Sequence, residues 1–295
     1  MQPRLAVALA LVAAPALAQQ QDFSKVEIKA EKVADGVYML TGSGGNIGLS
    51  VGKDGAYVID DQYAPLSEKI LAAVRTITPD PVRFVINTHW HSDHTGGNEN
   101  MGRTGAILVA HENVRKRMGA EQFNAAMNRK TPPSPEAALP VVTFTDAVTF
   151  HWNGDEIRVT HVVPAHTDGD AYIRFVNADV VHMGDLFFNG TYPFVDVSSG
   201  GRIDGYVAAA DQVLAATGEK TRFIPGHGPL ATRADLQAFR DMVKAVRDRI
   251  AKLKAEGRSR DEVVAAKPTA EFDAKWGAGF MKPEMFAGLA YDSLP

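Results

Sequence analysis

From residue 88 to residue 97 the chain reads Thr88-His89-Trp90-His91-Ser92-Asp93-His94-Thr95-Gly96-Gly97, which crowds three imidazoles and one carboxylate into positions 89–94. The run follows directly on Val82-Arg83-Phe84-Val85-Ile86-Asn87, an apolar stretch with the composition of a strand. His89 and His91 share a side if that strand continues, and a turn after it lets Asp93 and His94 close on a neighbouring point. Three more donors stand alone near glycine, at the ends of apolar runs. They are His166 in Pro164-Ala165-His166-Thr167-Asp168-Gly169-Asp170, Asp185 in His182-Met183-Gly184-Asp185, and His227 in Pro225-Gly226-His227-Gly228-Pro229. Any one of these histidines, read alone, could be a core residue bonded to backbone. Five histidines and two aspartates together read as a metal site with donors enough for two ions.

Imidazole and carboxylate ligands without sulfur suit zinc, and the same donors could hold iron or manganese. Two such cations can share a carboxylate, and they lower the pKa of bound water to about 7, which makes it a nucleophile near neutral pH. Asp185 is the candidate bridge; its alternative reading is a turn-capping aspartate after Met183-Gly184. Asp93 could accept a proton if one of its oxygens stays free. Asp168 and Asp170 could support His166 or simply cap a turn. His111, His151, His161 and His182 fall outside the expected ligand set.

The elements that must position these donors alternate along the chain. Strands are expected at 36–41, 46–51, 55–60 and 82–87, with a helix from Leu66 to Ile77 stopped by Pro79 and Pro81. A short strand at 106–110 precedes a helix expected over His111 to Met127. A proline-rich connection at 132–140 leads to strands at 141–144, 147–150 and 157–163. A hairpin spans 172–175 and 180–183, and Phe223-Ile224 is a last strand before His227. Leu236 to Ile250 is the best amphipathic helix. Such alternation indicates sheets covered by helices.

Composition removes several alternatives. The 295 residues contain no cysteine, so disulfides, thiolate ligands and cysteine nucleophiles are excluded. A formal charge of -4 with interspersed basic residues gives no nucleic-acid footprint. The Gly42-Ser43-Gly44-Gly45 turn lacks the spacing and lysine of a phosphate-binding loop. Arg4, the apolar stretch Leu5 to Ala14 and the small-x-small Ala16-Leu17-Ala18 form a signal peptide over 1–18. Cleavage after Ala18 would leave one domain over 19–295, periplasmic or secreted, with no stable membrane insertion.

His89, His91, Asp93 and His94 match His-x-His-x-Asp-His, and with the later donors in order the chain resembles the metallo-β-lactamase fold superfamily. The resemblance covers most of residues 30 to 230. It implies an α+β fold, an αββα sandwich of two mixed β-sheets packed face to face with helices outside, and a site at one edge between the sheets. It further implies two Zn2+ ions per chain: His89, His91 and His166 at the first, Asp93, His94 and His227 at the second, and Asp185 reaching both. Asp93 and His94 are then the expected catalytic residues.

The departures narrow the class. In one β-lactamase subclass a cysteine occupies the second site and a substrate-binding lysine follows; here Leu186, Phe187 and Phe188 follow Asp185. The expected activity is β-lactamase-like hydrolysis, in which a metal-bridging hydroxide attacks the carbonyl of a small-molecule β-lactam amide. A lactonase or thioesterase of the same fold is the alternative, and a non-hydrolytic metal-binding protein the second. Di-iron redox relatives usually carry glutamate where His91 stands. Trp90, Phe187, Phe188 and Tyr192 could wall an apolar substrate pocket beside the metals.

Overall fold

The computed structural model describes residues 22–295; the signal peptide expected over 1–18 lies outside the described residues. Strands β1 (Lys29–Ala34), β2 (Val37–Thr41), β3 (Ile47–Ser50) and β4 (Ala56–Ile59) form an antiparallel meander. Helix α1 (Ser67–Ile77) then crosses over, and β5 (Val82–Asn87) returns parallel to β4. Short helices α2 (Ser92–Thr95) and α3 (Asn98–Arg103) lead to β6 (Ile107–His111), and α4 (Glu112–Met118) follows. A small hairpin, β7 (Gln122–Asn124) with β8 (Arg129–Thr131), stands apart from the main sheets. Strand β9 (Val142–Phe144) pairs with β6 and completes a seven-stranded sheet in the order β1-β2-β3-β4-β5-β6-β9.

The second sheet has six strands: β10 (Ala147–Trp152), β11 (Asp155–His161), β12 (Ala171–Phe175), β13 (Val180–Phe188), β14 (Arg222–His227) and β15 (Ala231–Thr232). Helix α5 (Ile203–Ala216) connects β13 to its parallel neighbour β14. Helices α6 (Arg233–Ala255), α7 (Arg260–Ala265), α8 (Asp273–Trp276) and α9 (Pro283–Ser293) finish the chain. Thr232 and Asp235 close a reciprocal capping box at the start of α6. Among the described residues no helix is long and apolar enough to cross a membrane.

Three apolar layers define the sandwich. Tyr57 and Ile59 of β4 join Ile157, Val159, Ile173 and Phe175 of the second sheet between the two sheets. Their alternates Ala56 and Val58 face α1, against Ile70 and Val74. On the other flank α5, α6 and α9 cover the second sheet. Central strands buried on both faces explain the unbroken apolar runs in the sequence. The expected αββα architecture is therefore the observed one.

Two local readings need correction. The helix expected over 111–127 spans only Glu112–Met118 and gives way after Gly119 to the β7–β8 hairpin. Its turn contains Asn128 at φ 46°, a left-handed conformation that asparagine tolerates better than most residues. Helix α5 covers residues that the sequence reading left unassigned. Phe187, expected at the pocket, is fully buried and packs on Phe239 of α6, 5.2 Å between ring centroids. Its strand sends it into the helix-covered layer, away from the donors.

Phe187→Ala is accordingly a core truncation. Urea denaturation should register a loss of about 3–5 kcal/mol, while bound metal per folded chain stays unchanged.

Candidate metal centre and pocket

The donors collect at strand ends along one rim of the sandwich. His89 and His91 follow β5, Asp93 and His94 lie in α2, and His166 is in the loop between β11 and β12. Asp185 is near the end of β13, and His227 ends β14. They form two groups, His89 with His91, His166 and Asp185, and Asp93 with His94 and His227. Within each group the available donor atoms lie within 4.8 Å of one another. Asp185 Oδ2 is 3.4 Å from His166 Nε2, while its Oδ1 is 3.1 Å from His94 Nε2 and 3.4 Å from His227 Nε2. Asp185 thus touches both groups.

Hydrogen bonds at the far side of each ring decide which nitrogen faces inward. Asp60 accepts from Thr88 N–H (2.8 Å), from the Thr88 hydroxyl (2.8 Å) and from His94 Nδ1–H (2.7 Å). With its proton directed to Asp60, the Thr88 hydroxyl accepts from His89 Nδ1–H at 3.0 Å. His89 Nε2 is then a bare lone pair, buried without a hydrogen-bond partner. His91 Nε2–H donates to Asp196 at 2.9 Å, and His166 Nδ1–H to the Phe194 carbonyl at 2.6 Å. Their remaining nitrogens, His91 Nδ1 and His166 Nε2, face each other at 2.8 Å.

These observations test the fit of a divalent cation. Two lone pairs at 2.8 Å repel unless a positive charge lies among them, and Asp185 Oδ1 has imidazoles nearby but none in hydrogen-bonding alignment. Carboxylate-held and carbonyl-held imidazoles are the supports that metal ligands use. The residues fit a divalent metal site.

The electrostatics agree. Burial, helped by His94 and His166, keeps the His89 ring well below its ordinary pKa and so neutral. Burial lowers His166 to about 4 although Asp185 opposes it. Burial also works against charge on His94 and His227, but the aspartates overcome it, holding His94 well above its usual value and His227 at about 9.

The backbone bends to reach this arrangement. Asp60 and Gln62 adopt left-handed φ angles of 60° and 54°, a strained conformation that brings the Asp60 carboxylate under Thr88 and His94. At Gly226 any Cβ would collide with Asp185 Oδ1, so only glycine lets β14 pass so close. Asn46 fixes the following turn through the carbonyls of Pro225 (2.9 Å) and Gly228 (2.8 Å).

Of the other candidates, Asp170 accepts from His166 N–H (2.7 Å) and Thr167 N–H (2.9 Å), which sets the His166 turn. Asp168 instead turns to Arg117, making two bonds of 2.6 and 2.7 Å. His182 is buried, donates from Nε2 to the Asn46 carbonyl and accepts from Gly184 N–H; burial keeps it neutral, near 4. The sequence reading missed Asp60, Thr88, Asn46 and Asp196. The pair Asp60-Asp61 at the end of an apolar strand was a usable signal, whereas Asp196 and Asn46 had none.

Above the donors opens a cavity of about 710 Å³. Trp90 and Phe188 line it, Trp90 anchored by Nε1–H to the Ser199 hydroxyl at 3.2 Å and Phe188 stacked on His227. Tyr192 also lines it, but its hydroxyl is committed to Asp273 and the Thr269 carbonyl. Phe194, Phe280 and Met281 add apolar wall, so the C-terminal segment contributes to the pocket.

Two consequences are measurable by competition against a chromophoric chelator. Asp196→Ala releases His91 Nε2 and should weaken metal affinity about 10- to 100-fold, with Asp196→Asn, which keeps an acceptor, recovering part. His227 carries a proton up to about pH 9 in the metal-free chain. That proton, and the one held on His94, must leave when metal binds, so apparent affinity should climb with pH through about 9.

The family model described as "Metallo-beta-lactamase superfamily" matches residues 40–248. Among solved structures, a metallo-beta-lactamase from Pontibacter korlensis is similar at TM-score 0.60 and 21% identity, over 74% of this chain and 99% of that one. The DIM-1 metallo-beta-lactamase gives TM-score 0.60 and 19% identity over 75% and 99%. The stereoselective inverting sec-alkylsulfatase Pisa1 from Pseudomonas sp. gives TM-score 0.69 and 18% identity, over 90% of this chain and 50% of that chain. At these identities the structures share a fold, and this chain spans about half the length of the sulfatase. With seven donors converging at the rim of an αββα sandwich and a family match over most of its length, the chain belongs to the metallo-beta-lactamase superfamily.

Proposed function

We propose that the chain is an exported dinuclear zinc hydrolase that cleaves an acyl bond, with a β-lactam amide as the first-choice substrate. The observation that carries the reading is that all seven donors converge beside an open cavity and Asp185 reaches both groups. A structural metal site closes four protein ligands around its ion. Here His91, Asp93, Asp185 and His227 line a cavity large enough for a small molecule. His89, His91 and His166 would hold one ion, Asp93, His94 and His227 the other, and Asp185 both. When bound, such ions supply Lewis acidity and make a water molecule acidic enough to act as a nucleophile near neutral pH.

The chain's own residues do the rest. Asp60, Asp196 and the Phe194 carbonyl fix the imidazoles before substrate arrives, which avoids reorganisation during the reaction. Trp90, Phe188 and Phe194 exclude water from one side of the reacting carbonyl. Asp93, at 23% side-chain exposure against 5% for Asp185, is the more open carboxylate and is placed to pass a proton to a leaving group.

A lactone or thioester carbonyl fits the same scheme. A sulfate ester is a second reading, favoured by the fold likeness to the sec-alkylsulfatase over 90% of this chain. Export rests on the leader read in the sequence.

Metal analysis of the purified protein should give about two zinc ions per chain. A hydrolysis panel of a penicillin, a cephalosporin, a carbapenem, an acyl lactone, a thioester and an alkyl sulfate should show turnover that chelation abolishes and zinc restores. Stoichiometric metal without turnover of any of the six would contradict the reading.

A further inference from the structure

The cavity has one lysine or arginine among its described lining residues, Arg129, and its carboxylates, Asp93 and Asp185, belong to the donor cluster. Arg129 opens β8 and is exposed; its guanidinium makes no ion pair or hydrogen bond among the described residues, while neighbouring Lys130 pairs with Glu121 at 3.2 Å. Arg129 and Tyr63 line the same cavity wall as Asn124, Met127 and Thr131.

The hairpin that presents Arg129 is tied to the donor cluster. Asn124 Nδ2–H donates to Asp196 Oδ1 at 3.0 Å, and Asp196 Oδ2 holds His91. Ala125 N–H donates to the Ser198 hydroxyl at 3.0 Å, and Arg117 reaches Gln122 at 3.0 Å. The guanidinium is thereby carried on an element fixed relative to the metal site. Around it the walls are apolar, through Met127, Phe188 and Phe194, and Phe280 leaves 74% of its surface exposed at the pocket.

We propose that the cavity takes an amphiphilic substrate, its apolar body against Phe188, Phe194 and Phe280 and an anionic group, carboxylate or sulfo, on Arg129. A planar guanidinium accepts either anion through two parallel N–H bonds. The scissile bond lies elsewhere in the molecule, over the donors; that part rests on the hydrolase reading above.

Calorimetric titration of the metal-loaded protein with octane-1-sulfonate, octanoate and octan-1-ol separates the two claims, because none of these probes has a bond to hydrolyse. The wild type should bind at least one of the anions about tenfold more tightly than the alcohol, and the tighter anion names the group. Arg129→Gln should lose about five- to tenfold for that anion and leave the alcohol unchanged, and Arg129→Lys should recover part. An anion preference that survives in Arg129→Gln would assign the anion to the metals and overturn the proposal. Equal binding of all three probes, or binding of none, would overturn it too. Failure of the hydrolysis panel alone would leave this measurement intact.

Discussion

A buried imidazole offers a lone pair in a fixed direction only when the proton on its other nitrogen is held elsewhere, and the whole centre depends on that constraint. Asp60 holds His94 directly and His89 through the Thr88 hydroxyl, Asp196 holds His91, and the Phe194 carbonyl holds His166. Four rings thereby present defined nitrogens inward. Removing any acceptor frees a ring to choose its tautomer and its rotamer, and the convergence of donors is lost with it.

The fold serves this constraint by bringing strand ends from both sheets to one rim. Asp60 follows β4 and His89 follows β5, two parallel neighbours, so the carboxylate and the first imidazole arrive side by side. Asp185 and His227 come from β13 and β14, the parallel pair of the other sheet. The cost is visible locally, in left-handed backbone at Asp60 and Gln62 and in the glycine at 226 that alone lets β14 pass Asp185. Such violations of ordinary backbone and burial rules are what functional sites look like in an otherwise consistent sequence.

How much of this the sequence disclosed depended on whether a feature is local. The His-x-His-x-Asp-His run, the strand before it and the isolated donors at 166, 185 and 227 were legible because each carries its chemistry in a few adjacent residues. The layered fold was legible because period-2 and period-3.6 patterns are also local. Phe187 and Phe188 show the limit: both pack in the helix-covered layer, and only Phe188, the last residue of β13, also reaches the pocket, a distinction that depends on where the strand ends. The β7–β8 hairpin was hidden because its short strands carry no apolar alternation; contacts to Asp196 and Ser198, about 70 positions away, hold it in place. Asp196 and Asn46 act through contacts 105 and 179 residues distant in the chain, and no local pattern encodes those.

The most direct test of the account is anomalous X-ray diffraction at the zinc edge from crystals of the metal-loaded protein. Two peaks are expected, one among His89, His91 and His166 and one among Asp93, His94 and His227, with Asp185 between them and Asp60, Asp196 and the Phe194 carbonyl still on the outer nitrogens. A single peak, or two peaks with Asp185 turned away from both, would contradict it.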